Sequence, residues 1–164
     1  KWKGLGSKYF FWASKMATKF YDQLINDSDE MRRVYLELFQ KDSEVIAYGA
    51  NPRESVAADP IKRWKLESRG YYLIVGRLVP DNNADLIIEG FLKSASQKTL
   101  VVVGDVPFAD AWANRLKNIQ DPRLLFTGYV TDPNELAALY SHCYAYFHGH
   151  EFGGTNPAML KALG

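Results

Sequence analysis

Residues 151–159 read EFGGTNPAM and follow the run CYAYFHGH at 143–150. The aromatic and apolar crowding from Cys143 to Phe147 suits a strand. Asn156 is a favoured N-cap, and Pro157 suits the first helical position, where its missing N–H costs nothing. Between strand and helix, Gly153 and Gly154 leave the backbone free to approach a ligand. A strand, a glycine-bearing loop and a helix start together offer unpaired N–H groups and partial positive charge to a phosphate or another anion. The same residues also make an ordinary tight turn. A second stretch, GRLVPDNN at 76–83, places Arg77 at a strand tip facing the same rim. Its guanidinium is a planar fork of donors matched to phosphate oxygens, and by itself also suits a surface ion pair. In HGHE, His148 and His150 stand two apart beside Glu151, a metal-like spacing with no evident third ligand.

These residues need a scaffold that brings several strand ends to one edge. Residues 7–20 read as a helix, 22–27 as a short strand, Asp29 to Gln40 as a helix capped by Ser28 or Asp27, and 44–49 as a strand. ANPRESVAADP (50–60) breaks regular structure with two prolines and is the candidate linker. Strands at 71–76, 99–104, 123–128 and from 143 then alternate with helices at about 83–96, 108–118, 134–141 and from 157. Three of these strands are near-continuous apolar runs. The fold class is therefore α/β, a Rossmann-like parallel sheet with helices on both faces, which binds ligands beyond the carboxyl ends of its strands. Gly76, Gly104, Gly128 and Gly153 fall at or just past those ends. A dinucleotide-binding dehydrogenase shares the class, but VVVGDVPFAD has one glycine where G-x-G-x-x-G wants three.

Composition narrows the setting. Hydrophobic residues make up 47% of the chain and the net charge is +1, which supports a substantial core and argues against disorder and against a general nucleic-acid binder. The single Cys143 builds no disulfide framework. No stretch reads as a bilayer span or a signal peptide, so an intracellular setting is expected. A first residue of Lys and a final glycine soon after a helix start read as a piece of a longer chain. Lys1, Lys3, Lys8, Lys15 and Lys19 precede the first acid, Asp22. On a helix Lys8, Lys15 and Lys19 share a face with Trp12, while Phe10, Ala13, Ala17 and Phe20 line another. Such a face can rest on anionic lipid, or be the solvated side of a domain helix.

Taken together, GRLVPDNNADLIIEGF, TLVVVGD, PRLLFTGYVTDPNELAALYSHCYAYFHG and EFGGTNPAMLKALG resemble the successive nucleotide-sugar-binding segments of retaining GT-B glycosyltransferases. Upstream, DQLINDSDEMRRVY and SEVIAYGAN resemble the end of that family's first domain. KWKGLGSKYFFWASKMATKFYD, GGTNP and PDNN resemble a subgroup of bacterial polysaccharide enzymes of rhamnosyltransferase type. The resemblance implies that 1–50 is the C-terminal part of the acceptor-side domain, 51–60 a linker, and 61–164 the donor-binding Rossmann-like domain, truncated at its C-terminal end. It implies a nucleotide-sugar donor, a saccharide or lipid-linked acceptor, retention of configuration and no metal or other cofactor. The expected setting is the cytoplasm, and membrane contact through the Lys-rich residues 1–20 stands beside the solvated-face reading of that helix.

The resemblance also assigns residues. Arg77 matches the arginine that contacts the donor diphosphate, and Arg77 with Glu151 is the implied catalytic pair. Asn82 stands where the family commonly has lysine; an amide donates a hydrogen bond but brings no charge. The backbone near Val130 would meet the nucleobase, with Phe126 assigned to the core and Tyr129 to its rim. Gly153, Gly154, Thr155 and Asn156 would hold the diphosphate, and His150 or His148 would face the donor or acceptor sugar. The family's two glutamates, separated by seven residues, are not intact here. Counting from Glu151 puts the second on Met159; aligning LKALG with the family's LEAMA puts it on Lys161 and the first on Gly153. Lys161 could partner a phosphate instead. These departures keep open a catalytically silent relative that binds sugar nucleotide or partners another transferase.

Overall fold

The computed structural model describes residues 4–52, 56–106, 108–151 and 155–164. The chain divides into two compact units, one ending at Gly49 and the other beginning at Ala50. Residues 53–55 of the expected linker lie outside the described residues, and its last two residues already belong to a 3-10 helix, Asp59–Trp64.

The first unit runs α1 (Leu5–Phe20), β1 (Ile25–Asn26), α2 (Asp29–Phe39) and β2 (Glu44–Val45), with β1 and β2 paired in parallel. Ser28 caps α2 by accepting the Met31 N–H at 3.4 Å. Both donors of the Arg32 fork reach Asp42 at 2.7 and 2.9 Å, fastening the first turn of α2 to the entry of β2. That hydrogen bond, with the Ser43 N–H, pulls the Asp42 carboxyl down to about 2. The strands expected at 22–27 and 44–49 contract to two residues each because only Ile25–Asn26 and Glu44–Val45 find partners in register. Phe11 and Phe39 meet with ring centroids 5.3 Å apart, yet no residue of either helix is fully buried.

The second unit is a four-stranded parallel sheet, ordered β5-β4-β3-β6, from β3 (Tyr71–Val75), β4 (Thr99–Val103), β5 (Leu124–Gly128) and β6 (Ala145–Tyr146). Alternate residues feed two cores, as the period of a strand requires. Tyr71, Leu73, Val101 and Val103 pack with Ile61 and with Ala138 and Leu139 of α5 (Pro133–His142). On the other face Ile74, Leu100 and Val102 meet Ile88 and Phe91 of α3 (Ala84–Leu92) and Ala113 and Leu116 of α4 (Ala111–Lys117). With both faces covered, β4 has no polar alternation, the reason its sequence is an unbroken apolar run. Phe126 packs against the second cluster, a core residue as its strand position implies. Expected helix ends move inward. α3 starts at Ala84 after a 3-10 turn, Pro80–Asn82, and Asp110 rather than an upstream residue caps α4 by accepting from Ala113 N–H at 2.8 Å.

Two polar devices lock these layers. The Arg123 fork pairs with Asp121 and donates to the carbonyls of Leu92, Ser94 and Ser96, tying the end of α3 to the entry of β5. Tyr71 is wholly buried, and its hydroxyl donates to the Leu139 carbonyl at 2.8 Å. Burial pushes the phenol pKa well up, so it remains a donor throughout the stable pH range. Tyr71→Phe keeps the ring and removes this bond, leaving the carbonyl short of a partner. The expected loss is about 1 kcal/mol, read as a lower denaturant midpoint with unchanged slope.

Candidate functional site

Chain order determines where the sheet opens. From β3 the chain builds outward through β4 to β5, then returns through α5 to lay β6 on the opposite edge of β3. The crevice between the carboxyl ends of β3 and β6 is thus a topological switch point, the place where open α/β sheets receive ligands. A cavity of 280 Å³ lies there, lined among others by Gly76, Arg77, Asn82, His148, His150 and Asn156.

Backbone approach shapes this rim. Gly104 adopts φ +122°, and a Cβ built there would overlap the Gly76 carbonyl, so the ends of β3 and β4 close together only because this residue is glycine. At Gly149 a Cβ would overlap the Asn82 carbonyl. Removing it lets the loop after β6 lie directly against the turn after β3. Three hydrogen bonds then clip the two segments: Asn83 Nδ2 to the Gly149 carbonyl at 2.8 Å, Glu151 N–H to the Asp81 carbonyl at 3.0 Å, and the Asn82–His150 side-chain pair at 2.8 Å. Asn83 holds φ +50°, the left-handed conformation that asparagine tolerates, which turns its amide across the crevice. Its role went unread in the sequence, where the repeated Asn of PDNN before a helix was the available signal.

The predicted residues fall into three groups. Arg77, Asn82, His150 and Asn156 line the cavity together, with His148 beside them. Arg77 is exposed at the end of β3, and among the described residues no carboxylate pairs with its guanidinium. Asn82 donates Nδ2 to the Arg77 carbonyl at 2.8 Å, so its amide organises the turn that carries Arg77. Asn156 caps α6 (Pro157–Leu163), accepting the Ala158 N–H at 2.9 Å as its sequence position implies. Thr155, half-buried, precedes it. A second group lies off the cavity. Glu151 is exposed and touches the clip through its backbone; Lys161 is exposed on α6; Val130 packs against the core beneath α5. Gly153 and Gly154 form the third group, outside the described residues.

Around the histidines the hydrogen bonds define proton positions. Because Asn82 Nδ2 faces a carbonyl, its Oδ1 faces His150, and His150 Nδ1 is therefore a donor. The Tyr146 hydroxyl, its pKa pushed up to about 12 by burial, lies 3.1 Å from His148 Nδ1. Desolvation first, and the charge of neighbouring His150 second, lower the His148 pKa, so that ring is neutral at pH 7. The two ring centroids are 6.0 Å apart. Among the described residues no three of His, Cys, Asp and Glu gather as a metal site would need.

No protein-family model matches the chain, and no curated protein matches it in sequence. Solved structures do. HepE of Anabaena in complex with UDP-glucose superposes with a TM-score of 0.79 at 16% identity, over 97% of this chain and 47% of that one. The likeness is one of fold. Sucrose-phosphate synthase from Thermosynechococcus elongatus superposes with a TM-score of 0.78 at 18% identity, over 95% of this chain and 42% of that one. HepE in complex with UDP gives a TM-score of 0.70 at 18% identity over 92% of this chain and 44% of that one. The chain thus spans about half the length of these neighbours, and its parallel α/β sheet has the Rossmann-like architecture they share.

The clip is testable directly. Gly149→Ala should force the loop from the Asn82 carbonyl and expose the Glu151 amide, raising its hydrogen-exchange rate about tenfold or more while core amides of β4 keep their protection.

Proposed function

We propose that this chain is the donor-binding part of a glycosyltransferase that moves a sugar from a nucleotide-sugar donor to a saccharide or lipid-linked acceptor. The observation that carries the reading is the cavity at the β3–β6 switch point, lined by Arg77, which has no carboxylate partner among the described residues, and by glycine-shaped backbone. Its support from outside is the fold shared with HepE, whose structures hold UDP-glucose or UDP. In transfer, the bond from the sugar's anomeric carbon to the diphosphate oxygen breaks as the acceptor oxygen forms its own bond to that carbon. Negative charge gathers on the departing nucleoside diphosphate, and a preorganised guanidinium offsets it with little reorganisation. Arg77 fills that role, with Gly153, Gly154, Thr155 and Asn156 beside the diphosphate and Val130 near the base. Glu151 faces the reacting sugar in this reading, and Lys161 is held in reserve as a phosphate partner.

The resemblances in motif extend the proposal to retention of configuration, to hexosyl or deoxyhexosyl donors and to bacterial surface polysaccharide synthesis in the cytoplasm, with 1–50 belonging to the acceptor-side domain and no metal in the reaction. A second reading, a silent sugar-nucleotide-binding relative or partner subunit, is favoured by one observation. Asn82, at the position where a cation would serve the diphosphate, spends its amide on the Arg77 carbonyl and His150. Donor hydrolysis or sugar transfer separates the two.

Calorimetric titration with a panel of nucleoside diphosphates and their sugars tests the common core. Arg77→Ala should weaken the nucleotide that binds by about tenfold or more, near 1.4 kcal/mol; equal affinity in the variant would remove Arg77 from the site.

Membrane contact completes the proposal. No helix among the described residues is long and apolar enough to cross a bilayer. Yet α1 exposes Leu5, Tyr9, Trp12 and Phe20 beside Lys8, Lys15 and Lys19, an arrangement suited to an anionic interface. Reversing the three lysines to glutamate should abolish sedimentation with phosphatidylserine vesicles at low salt. Absence of binding by the unaltered chain under the same conditions would exclude the contact.

A further inference from the structure

Among the described residues the cavity at the switch point is lined by the guanidinium of Arg77 and by two imidazoles, His148 and His150. His148 Nδ1 lies 3.1 Å from the Tyr146 hydroxyl. His150 spends its Nδ1–H on Asn82 Oδ1, and its Nε2 is left with a lone pair. A proton can therefore enter at His150 Nε2 without breaking any hydrogen bond the ring already makes. A diphosphate diester carries two negative charges, and its arrival favours a positive charge on the ring.

We propose that His150 is a proton-loaded second cation of the donor site: it takes a proton from solvent onto Nε2 as the diphosphate enters, while Asn82 holds the ring in place through Nδ1. The inference rests on the nucleotide-sugar reading of the cavity and adds to it a pH-dependent determinant of affinity. Among the described residues, four charged or titratable groups share the cavity with the ring or neighbour it in the chain. Arg77 shares its cavity, and His148 stands 6.0 Å away on the same loop. Asp81 precedes Asn82 and holds the loop through its carbonyl, and exposed Glu151 follows in the chain. The incoming phosphates favour protonation of the ring. Asn82 acts as a positioning residue. Its neutral oxygen fixes which nitrogen is the donor but adds no charge, so the ligand's own charge triggers the proton.

The sign follows from linkage. A ring that binds a proton more tightly with ligand present makes ligand bind more tightly as pH falls through the imidazole range, about pH 8 to 5. Nucleotide sugars suit the test because their bridging diphosphate has no group titrating near neutrality. With the intact chain, UDP-glucose and then the other sugars of the panel are titrated by calorimetry in buffers of low and high ionisation enthalpy. The expected result is uptake of a sizeable fraction of a proton per ligand at pH 7, and affinity about tenfold higher at pH 6 than at pH 8. His150→Gln, whose amide can still donate to Asn82, should take up no proton on binding and show a flat pH profile. Asn82→Asp places a carboxylate on Nδ1–H and should move the rise in affinity to higher pH, a displacement that a merely structural hydrogen bond does not produce. Binding without proton uptake in the unaltered chain, or uptake that survives His150→Gln, overturns the inference and leaves the donor site standing. Failure of every nucleotide sugar to bind at any pH overturns the donor-site reading itself, and this inference with it.

Discussion

β3 is hydrogen-bonded along both edges, to β4 in a five-residue register and to β6 through Tyr72 and Leu73. That double pairing is the constraint on which the site depends. It requires the chain to leave β3 on one side and return on the other, and so it opens a crevice at the carboxyl end that no neighbouring strand can fill. Burial enforces the register: Tyr71 and Leu73 are inaccessible to solvent, and a slip of one residue would turn both into the opposite core. Once the register holds, Arg77 and the loop after β6 arrive at the same height on either side of the opening.

Precision at the opening comes from absent side chains more than from strong bonds. Gly104 and Gly149 allow backbone to touch backbone where a methyl group would collide, and the three clip hydrogen bonds form across a gap closed in that way. Each such bond contributes modestly to stability. Their joint effect is positional: the turn that carries Arg77 and the loop that carries His150 behave as one wall. Asn82 is the hinge pin of that wall, donating to one segment and accepting from the other.

The two units differ in how they are held. The sheet of the second unit is covered on both faces and fastened at its margins by Tyr71 and Arg123. The first has a two-residue ladder, a capped helix and one exposed ion-pair fork, and leaves large apolar side chains at its surface. Such surface is what lipid, or further protein, would cover.

The alternation of apolar runs with capped helical stretches was legible along the chain, because burial on both faces removes the polar half of a strand's pattern and because Asn156 and Ser28 act on N–H groups two or three residues away. Helix and strand ends were read too long wherever a partner strand or a 3-10 turn decided the boundary, as at 22–27 and 80–83. Arg77 and His150 announced themselves by residue type and by their place after strands. A shared rim was expected for them from their strand ends, but across 73 positions it is the return of the chain to the far edge of β3 that puts both in one cavity. Composition could not show which nitrogen of His150 bears the proton. That is decided by the Arg77 carbonyl, which orients the Asn82 amide, which in turn selects the tautomer. The sequence by itself determined the class of fold and the chemistry available at strand ends, because both follow from local periodicity and residue type. The tertiary structure alone decided which of those groups share a cavity and which nitrogen of His150 donates to Asn82, because both depend on contacts between segments far apart in the chain.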